Sequence, residues 1–166
     1  ITEDRKEMWE VTKPYMYNTQ AMVMKADKAE EIMADVTGKK VVAEAGSAGE
    51  SYAKGFTGTT YKSVTKQTDG LMEVNSKTAD FAVVDIQLAK SYCGKGDYAD
   101  LEIVEALSSD LEYYAIGFKK NSELTAKVNA ELEKLGKDGF LKTLADKYGL
   151  GNSVVVDFEN QKVDEK

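Results

Sequence analysis

Three observations predict an α/β domain with a largely parallel sheet. From Gly38 onward, short apolar segments rich in β-branched residues alternate with helical patterns. Residues 40–54 read as a strand, a glycine turn and a helix start, and residues 79–84 form one continuous apolar run of strand length. The 166 residues are 42% apolar, enough for a packed core rather than a solvated chain.

In chain order, residues 1–19 carry the only proline, Pro14, and offer no sheet of their own, whereas 21–24 are apolar and read as a strand leading into the α/β part. The strand over 40–45 breaks at Gly46-Ser47. Ser47 suits a helix N-cap, and Glu50 three residues later completes the pattern of a capping box, with the helix running to about Lys54. A strand over 61–65 precedes a helix capped by Thr68, which carries Leu71, Met72 and Val74 to the sheet. The 79–84 strand closes at Asp85, a helix continues to Tyr92, and 94–96 form a glycine loop. Strands are expected over 101–107 and 111–118. Leu124, Val128, Leu132 and Leu135 then mark one apolar helix face, Gly139 a break, and 140–148 a last helix capped by Gly149. Val154 to Val156 read as an edge strand. The helix faces after residue 120 need a cover that this pattern does not supply.

Charge and composition exclude several functions. The net charge is −7 with Lys and Arg dispersed, which disfavours nucleic acid as a partner. Histidine is absent, removing the usual general base and the Ser-His-Asp and Cys-His arrangements, though Asp, Glu and Lys retain proton chemistry. The single cysteine, Cys93, has neither a disulfide partner nor companions for a zinc site, and reads as an incidental thiol.

The residues best suited to binding lie at two kinds of position. Gly46, Ser47 and Ala48 occupy a strand-to-helix turn, where unpaired N–H groups favour an anion, although an ordinary capped helix has the same sequence. Asp85 ends an apolar strand at the edge where α/β sheets take ligands, although a strand-terminal aspartate is also a common helix cap. Arg5 offers a planar guanidinium that can grip a carboxylate, or a solvated partner for Glu3 and Asp4. Tyr15 flanks Pro14, where an aromatic more often packs than edges a cleft, and Trp9 reads as core or crossover packing.

Several segments, in this order, resemble the family 3 extracellular solute-binding proteins. They are Ile1-Thr2-Glu3-Asp4-Arg5, Lys13-Pro14-Tyr15, Gln20-Ala21-Met22-Val23-Met24-Lys25, Gly38-Lys39-Lys40-Val41-Val42-Ala43 with Glu44-Ala45-Gly46-Ser47-Ala48-Gly49-Glu50, Ala79-Asp80-Phe81-Ala82-Val83-Val84-Asp85, and Lys137-Asp138-Gly139-Phe140 with Leu144-Ala145-Asp146-Lys147-Tyr148-Gly149. The resemblance runs to about Leu150. It implies a type II periplasmic-binding-protein fold with one complete α/β lobe and the remnant of a second, the family's further amino-terminal segment being expected ahead of the Ile1 position. By similarity, residues 1–25 are remnant and first hinge strand, 26–111 the complete lobe, 112–150 the second hinge strand and carboxy-terminal helices, and 151–166 a tail. The hinge crossovers are expected over 20–25 and 114–119.

The resemblance further implies a binding protein, not an enzyme, that closes on a free L-amino acid and delivers it to an ABC permease in the membrane, with no cofactor or metal. Arg5 matches the family's carboxylate-binding arginine, and Asp85 its ammonium-binding aspartate. Ser47 and Ala48 fall where the family places further carboxylate contacts. Family members often have a hydroxyl at the Ala48 position, so a contact here is expected from the backbone. Gly46 and Tyr15 stand beside these as secondary candidates. The location implied is extracytoplasmic, periplasmic or on the cell surface as a lipoprotein made with a signal peptide. The missing segment or a second copy is the expected cover for the apolar helices. The same fold includes cyclohexadienyl dehydratases and ligand-sensing receptor domains, the two alternative functions.

Overall fold

Why the chain alternates between short strands and short helices is visible in its computed structural model, which describes residues 1–104 and 111–159. In order, the elements begin with α1 (Glu3–Met8), β1 (Trp9–Val11), β2 (Met16–Asn18), β3 (Gln20–Lys25), α2 (Ala29–Ala34), β4 (Lys40–Glu44) and α3 (Ala48–Lys54). Next come β5 (Thr60–Val64), α4 (Gln67–Asn75), β6 (Phe81–Asp85), α5 (Ile86–Tyr92) and β7 (Leu101–Val104). The last described elements are β8 (Glu112–Tyr114), β9 (Gly117–Lys119), α6 (Leu124–Lys137) and α7 (Phe140–Lys147). The chain divides into two compact units, the first comprising Ile1–Asn18 and Leu111–Lys166, the second Thr19–Asp110.

The second unit is a five-stranded sheet in the order β5-β4-β6-β3-β7. β4 runs parallel to β5 and β6, whereas β3 is antiparallel to both its neighbours, β6 and β7. Both faces are covered, so side chains alternate between two cores. Met22, Met24, Val41, Ala43, Phe81 and Val83 pack to one side with Ile32 of α2 and Ala53 of α3. Val23, Val42, Ala82 and Val84 pack to the other with Leu71 and Val74 of α4 and Ala89 of α5. All six residues of β3 are buried, including Gln20 and Lys25. Lys25 reconciles its charge with that position by bonding Asn75 Oδ1 at 2.8 Å and Asp100 Oδ2 at 2.5 Å.

The first unit holds two-stranded antiparallel pairs, β1 with β9 and β2 with β8. The opening stretch holds two short strands but, as expected, no sheet of its own, each strand pairing with one from residues 112–119, and the strand expected over 111–118 is two. Val11 pairs with Gly117 and Met16 with Tyr114, so residues 12–15 bulge opposite 115 and 116. Pro14 sits in that bulge and has no N–H for a ladder bond. Among the described residues, Val154 makes only an isolated bridge to Met16 rather than an edge strand.

Two further expectations are corrected in the second unit. Lys66, not Thr68, is the N-cap of α4, and the capping carboxylate comes from within the first turn, Asp69 Oδ2 accepting the Lys66 N–H at 3.0 Å. Met72 faces solvent while Leu71 and Val74 are buried. β7 ends at Val104 among the described residues, and positions 105–107 of the expected strand lie outside them. Leu124 at the start of α6, Phe140 and Leu144 of α7 and Tyr148 just after it are exposed, whereas Val128, Leu132 and Leu135 of the expected α6 face are half-buried. No described helix is long and apolar enough to cross a membrane.

Candidate functional site

At the carboxyl edge of the second unit's sheet, β4 and β6 end at Glu44 and Asp85, and β3, running the other way, begins at Gln20 directly opposite Asp85. Here the chain turns from β4 into α3. Gly46 has φ +72°, a left-handed conformation that glycine adopts without strain. Ser47 Oγ accepts the Glu50 N–H at 3.0 Å and donates to Glu44 O at 2.7 Å. The glutamate's return bond goes to Gly46 N at 2.7 Å, one residue earlier than in a standard capping box. With its O–H donated internally, Ser47 is a structural cap in this state. The turn's donors toward an anion are the N–H groups of Ala48 and Gly49, which a first helical turn does not pair.

Glu50 is the anchor of that turn. The Lys54 ammonium, the Gly46 N–H and the Tyr61 hydroxyl together hold its carboxyl down at about 2. Burial, helped by the bond to Glu50, pushes the Tyr61 phenol up to about 12. Lys54 Nζ also lies 5.2 Å from the Tyr61 ring centre.

Asp85 is half-buried, and its side chain makes no capping bond to α5. Instead Gln20 Nε2 donates to Oδ1 at 2.6 Å, and Gln67 Nε2 donates to Oδ2 at 2.9 Å. Gln67 Oε1 in turn accepts the Asp85 N–H at 2.8 Å, which fixes the orientation of that amide. Both carboxylate oxygens thus accept an amide N–H, which fixes the plane of the carboxylate at this edge.

In the first unit, Arg5 is exposed on α1 and lines a cavity of about 390 Å³ together with Trp9, Tyr15, Tyr113 and Tyr114. Tyr15 is held by its backbone, donating to Tyr114 O at 3.0 Å and accepting from Val155 N at 3.0 Å. The Trp9 side chain lies against Gly117, where an added Cβ would come within 3.6 Å of it. Trp9 is 48% exposed, so of core and crossover packing it has the second, against Gly117, and it is also a wall of this cavity.

Arg5 and Tyr15 therefore share one concavity, and Gly46, Ser47, Ala48 and Asp85 share one sheet edge. Sequence reasoning missed Gln20, Gln67, Tyr113 and Tyr114. Only Gln20 left a trace, as a polar residue opening an otherwise apolar strand. Among the described residues, no group of His, Cys, Asp and Glu side chains is arranged to hold a metal.

Comparison with known proteins accounts for most of the chain. It is 26% identical over 153 residues to the arginine-binding extracellular protein ArtP of Bacillus subtilis (strain 168), covering 90% of this chain and 60% of ArtP. Among solved structures, an ancestral arginine-binding protein bound to arginine matches with a TM-score of 0.80 and 32% identity, over 89% of this chain and 67% of that one. The ancestral amino-acid-binding protein AncCDT-1, a precursor of cyclohexadienyl dehydratase, matches with a TM-score of 0.76 and 27% identity, over 89% and 64%. The chain thus spans less than two thirds of the length of ArtP. A family model matches residues 1–151, and on that match the chain belongs to the bacterial extracellular solute-binding proteins, family 3.

Proposed function

We propose that this chain is part of the substrate-binding component of an amino-acid ABC importer, acting outside the cytoplasm and handing a free L-amino acid to a membrane permease. The observation that carries the reading is Asp85, a half-buried carboxylate steadied by two glutamine amides at the carboxyl edge of an α/β sheet, where such sheets take ligands. An α-ammonium suits a carboxylate so placed, because burying an ion of either sign unpaired costs several kcal/mol. The α-carboxylate is assigned to Arg5 and to the N–H groups that follow Gly46 and Ser47, with Ala48 contributing its backbone. Closure around the ligand is a ligand-driven population shift in which no bond is made or broken. A place in the periplasm, or on the cell surface as a lipoprotein, belongs to the same proposal.

The relatives' names support L-arginine as the first probe, and the ring faces of Trp9, Tyr15, Tyr113 and Tyr114 suit a delocalised cation. The test is a thermal-shift screen of the full-length gene product against the standard L-amino acids, with this 166-residue form beside it. A ligand at a hundredfold its Kd adds about 2.7 kcal/mol, a shift of several degrees. Stabilisation by one amino acid supports the transport reading. If none stabilises the full-length protein, that reading fails, and turnover of a cyclohexadienyl substrate becomes the measurement to make, AncCDT-1 being the reason to keep that alternative.

A further inference from the structure

Gln20 stands where three things meet. It is 2% exposed, its Nε2 donates to Asp85 Oδ1 at 2.6 Å, and its Oε1 lies only 2.8 Å from where a Cβ on Gly49 would be. The same hypothetical Cβ would come within 3.3 Å of Ser47 Oγ and of Val83 O. Gly49 is therefore a glycine because the turn after β4 closes down onto the Gln20 amide. A buried amide so placed cannot rotate without losing the carboxylate or striking the turn. Gln67, arriving from α4, holds the other carboxylate oxygen and the Asp85 N–H, so Asp85 is clamped from two sides by segments distant in sequence.

We infer that Gln20 is a positioning residue that registers Asp85 against the Gly46–Gly49 turn, so that the groups assigned to the ligand's ammonium and carboxylate keep a fixed separation, with Gln67 as the second clamp on Asp85. The inference rests on the amino-acid-binding reading for what the two groups hold, but the linkage itself belongs to the protein without ligand. It gives Gln20 a role that touches no ligand atom. It also explains why a polar side chain is kept in a strand whose next four residues, Ala21 to Met24, are wholly buried and apolar.

The experiment has two arms on the full-length protein. In the ligand-free arm, Asp85→Asn is made in the parent and in a Gln20→Ala background, and the Gly49 N–H resonance is followed by ¹⁵N correlation spectroscopy. Asp85→Asn is expected to move that resonance in the parent and to leave it in place once Gln20 is gone; equal displacement in both backgrounds overturns the linkage. In the binding arm, L-arginine and its desamino analogue, 5-guanidinopentanoate, are titrated calorimetrically into parent, Gln20→Ala and Gln67→Ala. Each variant is expected to weaken L-arginine at least tenfold and the analogue less than threefold, since the analogue has no ammonium for Asp85. Equal weakening of both ligands would mean general loosening and would overturn the positioning role. A parent that binds neither ligand refutes L-arginine as the ligand, while the spectroscopic arm still decides the linkage.

Discussion

Glu50 and Cys93 show how much of this protein's chemistry is set by immediate surroundings. The Glu50 carboxyl, held at about 2 by Lys54, the Gly46 N–H and Tyr61, is more acidic folded than unfolded. Its contribution to the turn is therefore complete above the ordinary carboxylate range and is lost as pH falls from about 4.5 toward about 2. The Gly46 N–H resonance is expected to stay constant down to pH 4.5 and then to move with a midpoint near the folded value of about 2, and Glu50→Gln is expected to remove that titration. Cys93 is displaced the other way, burial in the second core pushing its thiol up to about 11. At pH 8 it is protonated, and iodoacetamide is expected to label it only after denaturant is added. The Gly46–Glu50 turn was legible in the sequence because capping is a matter of three or four consecutive residues. The Asp85 clamp was not, because Gln20 and Gln67 lie 65 and 18 positions from it and only the folded sheet brings them together.

Strands and helices were legible in proportion to how fully their burial imposes a pattern. β6, closed on both faces, reads as an unbroken apolar run, and β4 very nearly so. Phe81 is wholly buried and meets Phe56 edge-on at 5.4 Å, so Phe81→Ala is expected to cost about 3–5 kcal/mol in urea unfolding. Met72, on the outer face of α4 at 58% exposure, is expected to change stability by less than about 0.5 kcal/mol when replaced by alanine. The helix signal could not separate these two residues beyond doubt, because Met72 adjoins Leu71 and only the roll of α4 decides which faces the sheet. The division of 111–118 into β8 and β9 was hidden for a different reason. Its cause is the bulge around Pro14, about a hundred residues earlier in the chain.

At the scale of the molecule, the two units are unequally provided. Most fully buried apolar side chains belong to the second unit, whereas among the described residues those of the first are Ala145, Val155 and Phe158. Two-stranded pairs such as β1 with β9 are marginal on their own. Amide hydrogen exchange is accordingly expected to be slowest in β3, β4 and β6 and at least a hundredfold faster in β1, β2, β8 and β9, a gap that native-state exchange measures directly. A last consequence follows from the place of β3 between β6 and β7 in the sheet. Every partner it has lies downstream, between residues 81 and 104. A chain made amino end first therefore carries Ala21 to Met24, four apolar residues destined for the centre of a sheet, unpaired until most of the second unit has been synthesised. Within that five-stranded sheet, β3 is thus the strand with the longest wait for a partner, and its apolar run is the one on which a chaperone would find its earliest hold.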